Sequence, residues 1–192
     1  MVIFIPIGID CGLAGLLKNS NLRTCAYPFD WNVTYMGVSD IFKDNFINFI
    51  PDNSIIINTK PANKYNMSFP HNEFPMDTDK YKRRIERLIT LLETTNEHVI
   101  LFRKSHTFHH HDENTNIKDD INDIEELDII FKKRYPNLKY TLILTLACAK
   151  CYNPKTIYTS QSTTIDVYNI VTEGINNEIF NDIYNVIINK YI

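Results

Sequence analysis

Apolar positions along this chain change their period several times, and each change marks an element. Val2 to Ile9 is a nearly unbroken apolar run that ends at Asp10-Cys11-Gly12, after which Leu13, Leu16 and Leu17 recur at helical spacing. That pattern predicts a buried strand, a tight turn, then a helix opened by a cysteine. Thr24 to Trp31 breaks the periodicity and reads as a loop. Ser39 is placed as the N-cap of a second helix carrying Phe42, Phe46, Phe49 and Ile50. Ser54 to Ile57 is a short β-branched strand, and residues 58–77 form a polar loop punctuated by Pro61, Pro70 and Pro75.

The second half continues the alternation. Asp77-Thr78-Asp79 caps an amphipathic helix with Tyr81, Ile85, Leu88, Ile89 and Leu92 on one face. His98 to Phe102 is a fully apolar strand, and residues 105–118 read as a polar loop. Ile121, Ile124, Leu127, Ile130 and Phe131 then line a helix stopped by Pro136, and Tyr140 to Leu146 is another buried strand. Thr156 to Thr159 is expected as an edge strand. Ile175, Ile179, Ile183 and Ile187, every fourth residue, predict a C-terminal helix over 170–191.

Strands alternating with helices predict one layered α/β domain over residues 1–192, its largely parallel sheet flanked by helices. No repeat or linker divides it. In such sheets, sites gather at the carboxyl ends of strands. Cys11 follows the first strand and Arg103 follows the strand at 98–102, so both are expected at one crevice.

Composition narrows the chemistry. The net charge of −3 gives no basic footprint for nucleic acid. No apolar run approaches the roughly 20 residues that span a bilayer. Val2 to Ile9 is too short, and lacks the basic flank, for a secretory signal. Four cysteines in 192 residues do not make a disulfide framework, and reduced thiols in the cytoplasm are expected. Isoleucine (28) and asparagine (22) abound while glycine is scarce (5), which suits an AT-rich genome such as a large DNA virus, a low-GC bacterium or a protist. For a virus the compartment is the host cytoplasm. The phosphate-cradling glycine loops are missing, so no nucleotide site is indicated.

A thiol at a helix N-terminus feels the positive end of the backbone dipole, which favours the nucleophilic thiolate. The alternative is that Cys11 is a small buried hydrophobe. His71, in Ser68-Phe69-Pro70-His71-Asn72-Glu73-Phe74, is a candidate base for it, or a solvated loop residue. In Pro28-Phe29-Asp30-Trp31, Phe29 and Trp31 suit a pocket wall with Asp30 as orienter; equally, the aromatics pack as satellite core and Asp30 makes an Asx-type turn. Asp10 is read as a helix cap. Arg103 is a candidate anion or oxyanion clamp, whereas Arg83, Arg84 and Arg87 read as a solvated helix face. Cys148 and Cys151 form a lone Cys-x-x-Cys, and His106 with His109 to His111 enriches one loop in histidine. One such pair supports zinc weakly, and no metal site is assigned.

Ile7-Gly8-Ile9-Asp10-Cys11, Tyr27-Pro28-Phe29-Asp30-Trp31, Phe69-Pro70-His71, Lys82 to Leu88 and Leu101-Phe102-Arg103 together form a recognisable set. Over about residues 3–148 the chain resembles a family of unknown function, DUF1796, described as papain-like cysteine peptidases. The resemblance implies a catalytic cysteine and histidine at Cys11 and His71. Pro6 and Asn72 depart from the family pattern, which often has serine and aspartate there, although asparagine still orients an imidazole. It also implies an α+β papain-like fold, in tension with the strand–helix alternation.

The resulting expectation is a cysteine-dependent hydrolase acting on a peptide or isopeptide bond of a protein substrate, with no cofactor. Cys11 is the nucleophile, His71 the base and Asp30 or Asn72 the orienter. Gly12 and Leu13 supply an oxyanion hole from their backbone, and Trp31, Phe29 and Arg103 bind substrate. Two further readings stay open: a non-catalytic module for host interaction through Pro28 to Trp31 and the loop at 105–118, and a sugar- or phosphate-handling transferase using Arg103. Neither nucleic acid nor membrane is expected as a partner, and oligomeric state is not specified.

Overall fold

The computed structural model describes residues 1–9, 11–34, 37–51, 54–104, 113–148, 159–171 and 177–192, with side chains left undescribed at 113–119, 147–148, 171 and 177–180. Four strands, β1 (Val2–Pro6), β4 (His98–Lys104), β5 (Tyr140–Cys148) and β6 (Ile165–Val171), pair in that order into one all-parallel sheet. Successive registers align Ile5 with Leu101, Leu101 with Leu142 and Leu142 with Ile165. These strands are apolar on consecutive residues because both faces of the sheet are covered.

On one face, Ile5, Val99, Leu101, Leu142 and Leu144 pack beneath α2 (Val38–Lys43), α3 (Thr78–Thr94) and α4 (Glu113–Arg134). Phe42, Tyr81, Leu88, Leu127 and Phe131 are the principal anchors there. On the other face, Phe4, Ile100, Phe102 and Ile143 meet Leu13 and Leu17 of α1 (Cys11–Asn19) and Tyr184, Ile187 and Ile188 of α5 (Asn177–Ile188). The result is a three-layer α/β arrangement. Its parallel central sheet is the alternating architecture rather than a segregated α+β one. Among the described residues no helix is long and apolar enough to cross a membrane.

Several expected elements differ in detail. Ser39 lies inside α2, whose N-cap is Gly37 in the left-handed region. The helix stops at Lys43 because Asn45 and Phe46 both take positive φ, so Phe46 and Phe49 reach the core from turns. Ile56–Ile57 pairs antiparallel with Lys60–Pro61 in a separate two-stranded ribbon, β2 and β3, outside the central sheet. The helix α4 begins at Glu113, inside the segment expected as loop. Ile165–Val171 is a strand that was not expected, overlapping the helix expected over 170–191 only at its first two positions. The strand expected at 156–159, the histidine tract at 106–111 and Cys151 lie almost wholly outside the described residues.

Candidate functional site

Cys11 is the first residue of α1, just beyond the carboxyl end of β1, and is half-buried and reduced. Leu13, Ala14 and Leu17 anchor the helix inward, and Gly12 is exposed beside the thiol's position in the first turn. The strand end before it is held tightly. Gly8 adopts φ +97°, and a Cβ there would sit 2.9 Å from Arg103 Nη1 and 3.1 Å from the Thr34 carbonyl. Only glycine combines that backbone angle with so close an approach.

Arg103 lies in this floor rather than in an open crevice. Its side chain is fully buried; Nη1 donates to the Ile7 carbonyl (3.1 Å) and the Thr34 carbonyl (3.3 Å), and Nη2 to Asp120 Oδ1 (3.1 Å). Asp123 Oδ2 lies 3.9 Å from the same Nη2. Asp123 also accepts from the Val38 and Ser39 N–H groups and the Ser39 hydroxyl, fastening α2 to α4. The residue expected as an anion clamp is therefore spent on protein oxygens. A buried guanidinium needs such a set of acceptors to offset its desolvation.

The segment 27–34 runs across this floor. Thr34 N–H donates to the Ile9 carbonyl and Val33 bridges to Ser68. Asn32 clamps the turn from within, donating to the Pro28 carbonyl (2.6 Å) and accepting from the Thr34 hydroxyl (2.9 Å). Phe29 is not a pocket wall. It is fully buried, stacked on Phe42 and edge-on to Phe49. Asp30 is buried too; its Oδ2 accepts the Tyr27 N–H (2.9 Å) and pairs with Arg23 (2.9 Å). Burial pushes its carboxyl up to about 6, against the opposing pull of Arg23, the Tyr27 N–H, Arg84 and Arg87.

Arg23 connects this turn to α1, since its guanidinium also reaches the Ala14 carbonyl (3.4 Å) and lies 5.8 Å over the Trp31 ring. Trp31 is half-buried and meets the His71 ring edge-on at 6.3 Å. A chain of contacts thus runs from the first turns of α1 through Arg23 and Trp31 to His71. His71 is exposed, and no hydrogen bond joins it to Cys11 among the described residues. Neither proposed orienter touches it. Asn72 donates to the Tyr81 hydroxyl (2.9 Å) and the Trp31 carbonyl (3.4 Å) and accepts from Lys80 (2.7 Å), while Asp30 is committed to Arg23.

Sequence reasoning passed over Arg23, Asp120 and Asp123, and it placed Tyr81 on the inward face of its helix without its bond to Asn72. Arg23 carries no local signal. Asp120 does, because it shares the inward face of α4 with Ile124, Leu127 and Phe131, where an apolar residue is expected. No group of three metal-ligating side chains occurs among the described residues.

No family model matches the chain, and no curated protein or solved structure matches it.

Proposed function

We propose that this protein is a cysteine-dependent hydrolase of the papain-like kind named above, with Cys11 as nucleophile and a peptide or isopeptide bond as substrate. The observation that carries the reading is a half-buried, reduced cysteine opening a helix directly beyond a parallel strand, on a floor pinned by Gly8 and Arg103. His71 takes the thiol proton as the Cys11 sulfur attacks the substrate carbonyl carbon, and passes it to the leaving amine as the C–N bond breaks. Water, giving its proton to His71, then cleaves the thioester, and the proton returns to the Cys11 sulfur as the acid leaves. The Leu13 N–H, in the first turn, faces the developing oxyanion. In this reading His71 is the exposed base, its ring edge-on to Trp31.

Intact-mass and peptide-mapping measurement of iodoacetamide labelling tests this, with Cys25 as internal comparator because both thiols are reduced and half-buried. Cys11 is expected to alkylate at least about tenfold faster than Cys25 near neutral pH. His71→Ala is expected to slow Cys11 selectively. Equal labelling of the two thiols in the folded protein overturns the proposal.

A second reading, a binding module, draws on a different observation. Asp30 and Asn72 are both occupied elsewhere, and Trp31 sits half-exposed between Arg23 and His71 as a preformed contact. In that case Trp31→Ala removes partner binding and Cys11→Ala leaves it intact. The transferase reading keeps the crevice but loses its anion clamp, since Arg103 is enclosed.

A further inference from the structure

On the opposite flank from Cys11's helix, α2 and the last turns of α4 enclose a groove of ≈ 560 Å³ lined by Lys43, Glu126, Ile129, Ile130, Lys133 and Arg134. We infer that this groove docks a partner protein segment that presents a branched apolar side chain followed along its length by carboxylates.

The groove is ordered along α4 in a way that reads out such a segment. Glu126, Ile129 with Ile130, and Lys133 with Arg134 succeed one another at helical spacing, so one end is acidic, the middle apolar and the other end basic. Ile129 is 66% exposed, so its side chain is available to an occupant of the groove it lines. Glu126 is engaged by the Ser39 hydroxyl at 3.2 Å. Lys43 and Lys133 have no carboxylate partner among the described residues, and Arg134 donates to neutral oxygens, the Phe42 carbonyl at 2.6 Å, the Lys43 carbonyl at 3.4 Å and Asn45 Oδ1 at 3.4 Å. Three cations without a carboxylate partner among the described residues thus stand at one end of an apolar slot on a chain whose net charge is −3. That charge placement selects acidic residues in the occupant, and the isoleucine floor selects an apolar anchor. A concave slot with a carboxylate at its other end suits a protruding side chain better than a flat anionic bilayer.

The test uses two fluorescent synthetic amphipathic peptides, roughly 14 residues long, with leucine at positions i, i+3, i+4 and i+7. One carries glutamate and the other lysine at its polar positions. Polarisation titrations with the full chain should show micromolar binding of the glutamate peptide and at least about tenfold weaker binding of the lysine peptide. Ile129→Asp, and separately Lys43→Glu with Lys133→Glu, should each weaken the glutamate peptide by about tenfold or more. All three positions are exposed, and circular dichroism confirms the fold of each variant. Equal affinity for the two peptides, or binding indifferent to these substitutions, overturns the inference. So does sedimentation showing a dimer that Ile129→Asp dissociates, which makes the occupant a second copy. Ile129-dependent binding to phosphatidylserine vesicles without peptide binding overturns it in favour of a membrane.

Discussion

Arg103 Nη2 donates to Asp120 Oδ1 across 3.1 Å with the two side chains 0% and 1% exposed, so a charge from β4 and a charge from α4 are sealed together under the strand end that leads to Cys11. Each charge has lost its water. What keeps them is the mutual pairing together with the Ile7 and Thr34 carbonyls. Removing one partner breaks the closest charge pairing of the other while leaving it buried, which costs more than the pair contributes net. Arg103→Met and Asp120→Leu are each expected to lower stability by about 3–5 kcal/mol. The double variant should be destabilised by less than the sum of the two. Urea denaturation of the four proteins measures this, and strict additivity would show that the two side chains do not interact.

Gly8 is the point at which that buried guanidinium touches the backbone. A Cβ at φ +97° would be strained by its backbone and would also press on Arg103 Nη1 at 2.9 Å. The guanidinium cannot swing away without losing its bonds to Ile7, Thr34 and Asp120. Gly8→Ala is therefore expected to cost more than the usual positive-φ penalty, about 2–4 kcal/mol. It should also change the alkylation rate of Cys11, whose helix starts from this strand end. A variant within about 0.5 kcal/mol of the parent would mean the strand end is looser than the geometry indicates.

The architecture was legible because it rests on periodicity, and the polar framework was not because it rests on reach. The apolar runs Val2 to Ile9, His98 to Phe102 and Tyr140 to Leu146 read as strands covered on both faces and fall on β1, β4 and β5, and the stripe with Tyr81, Leu88 and Leu92 reads as the amphipathic helix α3. Ile175, Ile179, Ile183 and Ile187 place the C-terminal helix, and its expected start at 170 runs into the strand Ile165–Val171. Cys11 could be placed from its neighbours alone. Arg103 could be placed at the strand's end but not given its partner, since nothing in a spacing reveals which way a long side chain turns. Phe29 illustrates the same limit. Its loop position allowed a pocket wall or a core residue, and the Phe42-Phe46-Phe49 cluster decided for the core.

Asp30 is a buried carboxyl that holds its proton more tightly in the folded chain than in the unfolded one. Burial raises it from the ordinary 3.8 to about 6. A raised folded-state value means that its titration adds stability as the pH falls. The contribution is complete below about 3.8 and is lost as pH rises through about 6. The displacement corresponds to on the order of 3 kcal/mol. The stability of the parent relative to Asp30→Asn should therefore increase between pH 7 and pH 4, whatever fixed offset the lost Arg23 pair introduces. Denaturant midpoints of the two proteins across that range measure it. Parallel curves would show that Asp30 titrates normally.

Asp128 has the opposite sign. It accepts from Lys132 (2.6 Å), Ser162 (2.8 Å), the Tyr140 hydroxyl (2.7 Å) and Thr164 (2.5 Å), tying α4 to the turn that precedes the edge strand β6. Burial pushes its carboxyl up, but the bonds from Lys132, Thr164, Tyr140 and Ser162 outweigh burial and bring it below the usual carboxylate range. A lowered folded-state value contributes stability that is present above the unfolded value near 3.8 and is lost as pH falls through the folded one. Asp128→Asn is expected to cost about 1.5–3 kcal/mol at pH 7, the range for hydrogen bonds to a charged group. The difference between parent and variant should shrink once the pH drops below about 4. Hydrogen exchange gives a local readout, because amides of β6 should lose protection in Asp128→Asn before those of β1 and β4. Uniform loss across the sheet would show that Asp128 supports the whole domain rather than its edge.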